Sequence, residues 1–191
     1  DALIALIDLA FLPILAYQIS KPLISTKYWQ GLIFVGVLLL LALGNGLIHS
    51  EILGFSQNTA EKGFQLIIGN IIILTLIIIS RVLPYFIERG LSGTLIIKNP
   101  LLDKLSIASA ALVFVLQLTG ISGNLMALTA IIAAVSNALR LMGWYVQRIW
   151  YVPLLWVLYA GYSWIIVAFF LTALSAYAWI STSIAIHAFT L

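Results

Sequence analysis

The chain has no cysteine. Disulfides, thiolate nucleophiles, iron–sulfur clusters and Cys-ligated zinc are therefore excluded within it. Charge is the second scarcity. Asp, Glu, Lys and Arg make up 8% of the 191 residues, against about 25% in soluble domains. That is too little to coat a soluble surface of this size. Histidine and methionine each occur only twice. No Walker loop, dinucleotide fingerprint, zincin motif or hydrolase elbow is present. Asp1 is the wrong start for the basic region of a signal peptide. Neither a 20–50-residue repeat nor a low-complexity linker divides the chain, so residues 1–191 are expected to form one domain.

What is present is apolar. Hydrophobic residues make up 63% of the chain, and the mean hydropathy is +1.17. An integral membrane protein in contact with lipid is the class that fits. The net charge of +3 is no nucleic-acid signal, because the basic residues are scattered between apolar stretches.

The clearest stretch runs from Phe64 to Leu83. It carries Gln65, Asn70 and Arg81 as its strong polar side chains. It has about 20 residues, the length a helix needs to cross roughly 30 Å of hydrocarbon. Pro84 follows, where a helix is expected to kink or leave the membrane. Similar stretches are expected at Ala2–Ile19 (broken by Pro13), Trp29–Ser50, Leu105–Leu118, Leu125–Met142 and Val152–Leu174. Another opens at Ala176 and is cut off by the chain end. The expected fold is all-α, a polytopic transmembrane bundle of about seven spans, the last truncated. The absence of an initiator Met and the apolar ends point to an interior segment of a longer chain.

Charge sets an expected orientation. Alternate connections hold Lys21, Lys27, Arg81, Arg89, Lys98, Lys104, Arg140 and Arg148, while the others hold only Lys62. The positive-inside rule places the rich set in the cytoplasm and the chain start outside. Arg81 and Arg140, at inner helix ends, read as snorkelling anchors.

Polar groups inside the spans each ask for a partner or a role. His49 lies near the outer end of the second span, with Asn45 one turn earlier on the same face. His187 is expected about three turns into the last span, with Ser183 on its face. Both imidazoles then fall in the outer half of the membrane. Neutral histidine suits a metal or haem iron, but it also serves as interhelical glue bonded to Asn, Ser or a carbonyl. Asp8 reads three ways: an orienting partner for a ligand histidine, a relay carboxylate, or an interfacial residue. Asn70, Gln117 and Asn137 read as interhelical hydrogen-bond partners. Gly36, Gly44 and Gly46 offer places for a neighbour to pack closely.

Several stretches carry a family likeness: DLAFLP (8–13), GNGLIHSEILG (44–54), SRVLPYFIER (80–89), PLLWVLYAGYSW (153–164) and IHAFTL (186–191). Their order resembles the NnrS family of polytopic bacterial inner-membrane proteins, which contain haem and copper and are tied to nitric oxide stress and denitrification. The likeness covers essentially the whole chain. It implies haem and copper as cofactors and His49 and His187 as ligands; Asp8 and Asn45 are then the expected supporting residues from their own placement. It also implies further spans of the same polypeptide as partners, with the redox partner unspecified. Tyr159 stands where many members carry a His. Two other functions compete: a transporter or channel module with Asp8, Asn45 and Asn70 along a path, and a structural assembly subunit.

Overall fold

Each of the expected spans contains an α-helix in the computed structural model, because in lipid the backbone must satisfy its own hydrogen bonds. The structure describes residues 2–97 and 99–190, without the side chains of residues 2–4 and 30. Asp1 and Lys98, counted above in the orientation argument, lie outside the described residues. Among the described residues seven α-helices follow in order: α1 (Ala2–Ser25), α2 (Leu32–Ile52), α3 (Ala60–Gly90), α4 (Pro100–Leu118), α5 (Asn124–Gly143), α6 (Pro153–Ser175) and α7 (Thr182–Thr190). Six of them are long and apolar enough to cross a membrane. The protein is thus an all-α, polytopic helical membrane protein.

Three boundaries differ from the sequence expectation. Helix α1 runs through both Pro13 and Pro22 and ends only at Ser25. Lys21 and Pro22 are therefore helical, not a connection. The turn comes at Lys27, whose φ of 54° breaks the helix. Helix α3 continues through Pro84, which is buried, to Gly90. Its 31 residues span about 46 Å at 1.5 Å per residue, well beyond the hydrocarbon thickness. The last helix starts at Thr182, after a turn in which Ala178 has φ 56°. With nine residues it is too short to cross.

The helices group into two compact units, Asp1–Ile71 and Ile72–Leu191. In the first, α1 packs on α2, and α2 meets the start of α3 at two glycines. A Cβ on Gly44 would lie 2.7 Å from Ile67 and 3.0 Å from the Gly63 carbonyl; one on Gly63 would lie 2.6 Å from the Gly44 carbonyl. Small residues are what allow helix backbones to approach this closely. Further along the same pair, Asn70 Nδ2 donates to the Val37 carbonyl at 2.8 Å. Asn70 is an interhelical partner, as expected. A clasp of hydroxyls closes the connection: Ser50, Ser56 and Thr59 oxygens lie 2.6–3.1 Å apart. Glu51 Oε2 accepts from the Ala60 N–H at 2.7 Å, capping α3.

In the second unit α5 packs against both α4 and α6, and α7 against α6. Helix α5 presents Ala127, Ala130, Ala133 and Ala134 as a buried small-residue face. Phe114, Phe169 and Phe189 form an aromatic cluster with centroids 4.9–6.2 Å apart. Asn99 caps α4 by accepting from the Leu101 and Leu102 N–H groups.

Candidate functional site

The first unit assembles three of the four residues singled out in the sequence. Asn45 and His49 are four apart on α2 and so share a face. Asp8 meets them from α1. Asn45 Nδ2 donates to Asp8 Oδ2 at 2.8 Å, and His49 Nε2 lies 2.9 Å from the same oxygen. Gly46, between the two α2 residues, has only Leu9 near its face, at 3.9 Å from where a Cβ would sit. With Asp8 ionised, Nε2 carries the proton and donates it. Neutral imidazole then bears its lone pair on Nδ1. That atom is buried and has no hydrogen-bond partner among the described residues.

A carboxylate that fixes one ring nitrogen while the other faces away is how ligating histidines are usually oriented. Helix glue alone would explain the Nε2 contact. It does not explain a buried nitrogen without a partner among the described residues, which is costly. The residues therefore fit one ligand position of a haem or metal site. They do not make a closed site: among the described residues, no three His, Asp or Glu side chains are grouped to hold a metal ion.

His187 belongs to the second unit. It stands in the second turn of α7, not three turns into a span, because the helix starts late. Its side chain is exposed. Its ring has no hydrogen bond among the described residues. Tyr159 is half-buried; its hydroxyl donates to the Leu141 carbonyl at 3.3 Å, and its ring lies against Tyr145 and Trp150.

The second unit also holds a polar cluster that the sequence reading missed. Arg140 is 2% exposed, so it is not a snorkelling anchor. Its Nε donates to the Tyr162 hydroxyl at 2.8 Å, and Nη2 donates to that hydroxyl and, at 3.2 Å, to Asn137 Oδ1. The Tyr162 O–H in turn donates to Asn137 Oδ1 at 2.6 Å. The guanidinium also lies over the rings of Trp144 and Tyr162, 5.2 Å from each centroid. Asp103 Oδ1 stands 3.6 Å from Nη1. The available signal was an ionisable residue within a span, which by default asks for a named partner. The positional rule for helix ends masked it. Gln117 makes no side-chain hydrogen bond among the described residues, unlike Asn70 and Asn137.

No curated protein and no solved structure matches the chain. The family model described as NnrS protein matches residues 1–191. Its match spans both units and every stretch on which the likeness rested, and the chain belongs to the NnrS family.

Proposed function

We propose that this membrane protein acts in the bacterial response to nitric oxide or in denitrification by binding haem or copper. His49 in the first unit and His187 in the second are each a proposed ligand, with Asp8 and Asn45 supporting His49. One observation carries the reading: His49 has one nitrogen tied to Asp8 and the other buried and unpartnered. A bound haem iron or copper ion supplies reversible electron transfer and coordination of a small ligand. The chain's own part is to hold the ligand histidine. Asp8 selects the tautomer and fixes the ring, and Asn45 fixes Asp8. The transporter alternative has less support, since Asn70 is 6% exposed and its amide is engaged by Val37.

The test is the absorption spectrum and metal content of the full-length protein. His49→Ala and His187→Ala should each remove cofactor and leave the helices inserted. Asp8→Asn should weaken binding by roughly 10–100-fold without abolishing it. Full haem and metal content in both alanine variants would show that these histidines are packing groups.

The proposed location is the bacterial inner membrane, with the chain start outside. Reporter fusions after Lys27 and Arg148 should then be cytoplasmic, and fusions after Gln57 and Ser122 external. Lys27 and Gln57 reporting from one side would defeat this orientation.

A further inference from the structure

The second unit contains five described cations. Arg81, Arg89, Lys104 and Arg148 are exposed, and only Arg140 is buried. A guanidinium has five N–H donors. Three are engaged by Tyr162 and Asn137. The two on Nη1 have no hydrogen-bond acceptor among the described residues. Asp103, at 3.6 Å, offsets charge but is too far to accept a hydrogen bond.

A cleft of about 280 Å³ adjoins this group. Arg140, Leu139 and Trp144 line it from the end of α5, and Asn99 and Leu102 from the start of α4. The N-terminus of α4 therefore adds its positive dipole end to the same cleft. Exposed Tyr145 and Trp150 lie just beyond α5, as aromatic residues do at the headgroup level. Leu139 is half exposed, and Val135, Ile132 and Leu128 continue it along α5 at three- and four-residue spacing, all exposed. Such spacing makes one continuous apolar lane on a helix.

We propose that this cleft seats the phosphate of a membrane phospholipid. Arg140 Nη1, which is buried at the cleft wall, donates to a phosphate oxygen once the phosphate displaces the side chains covering it, and an acyl chain lies along the Leu139–Leu128 lane. The lane is what separates a lipid from a free oxyanion, which would need only the cation.

The experiment is native mass spectrometry of the delipidated full chain in detergent. Phosphatidylglycerol, phosphatidylethanolamine, diacylglycerol and inorganic phosphate are offered separately. One phospholipid of either headgroup should be retained, with neither diacylglycerol nor phosphate alone held. Arg140→Gln should weaken retention about tenfold or more, the scale of one charge-assisted hydrogen bond. Leu139→Trp fills the cleft mouth without touching the guanidinium. It should lower retention similarly, with helicity and gel-filtration profile unchanged, and it decides the matter if Arg140→Gln does not fold. Equal retention of diacylglycerol would show an apolar groove only. Binding of inorganic phosphate in place of lipid would show a free-anion site. Wild-type retention by Leu139→Trp would also overturn the proposal.

Discussion

Gly44→Leu and Gly63→Leu should each destabilise the first unit by about 3 kcal/mol, and Gly36→Leu should not. At the first two positions a new Cβ meets a backbone carbonyl of the facing helix at 3.0 Å or less. A carbonyl on a helix cannot swing aside as a side chain can, so α2 and α3 must separate. Overpacking a tight contact costs about 1–3 kcal/mol, occasionally more, and this clash belongs at the top of that range. Separation would also strain the Asn70–Val37 bond. Gly36 has nothing within 4 Å of its Cβ position, so its change should stay within about 0.5 kcal/mol. Denaturation midpoints in detergent micelles measure all three. Because Leu has the better helix propensity, equal losses at Gly36 and Gly44 would show that the close crossing does not set the effect. Gly44 directly precedes Asn45, so a displaced α2 would carry Asn45 and His49 away from Asp8.

Tyr162→Phe should destabilise the second unit far more than Tyr159→Phe. The Tyr162 hydroxyl accepts from Arg140 and donates to Asn137, and its ring is fully buried. Neutral interhelical hydrogen bonds in membranes average only about 0.6 kcal/mol. Here the partner is a buried cation, and leaving it uncompensated costs about 3–5 kcal/mol. Tyr159 makes one bond of 3.3 Å from a half-buried position, and its loss should cost about 1 kcal/mol or less. Replacing the set together, with Arg140→Met, Asn137→Leu and Tyr162→Phe, should recover most of the stability, because no orphaned charge remains. Thermal unfolding of the four proteins provides the comparison. A triple variant weaker than Tyr162→Phe alone would mean that the cluster contributes net stability instead of compensating a buried cation.

The spans were legible because bilayer thickness sets a length that apolar runs either meet or do not. Their ends were less so. Pro13, Pro22 and Pro84 are strong breakers in water, yet all three lie inside helices. In lipid, leaving the helix would bare more polar backbone than the one lost bond. The Asn45–His49 face followed from helical spacing. That Asp8 would meet it depends on which helices pack, which periodicity does not encode. Arg140 was misread for the same reason: its position near a helix end suits an anchor, and only Tyr162 on the next helix shows otherwise. Gly63 sits among polar residues at the start of α3, where nothing in the pattern marks a close crossing.

Pro13 has a consequence for the carboxylate five residues before it. With no N–H on Pro13, the Leu9 carbonyl loses its usual donor, and one rung of α1 is missing immediately below Asp8. The turn bearing Asp8 is thus joined to the rest of α1 by a mechanically softer joint. Its bearing is set by the lateral ties to Asn45 and His49 as much as by the rod beneath. Loss of either tie should therefore displace the Asp8 carboxylate further than it would on a helix with every rung in place.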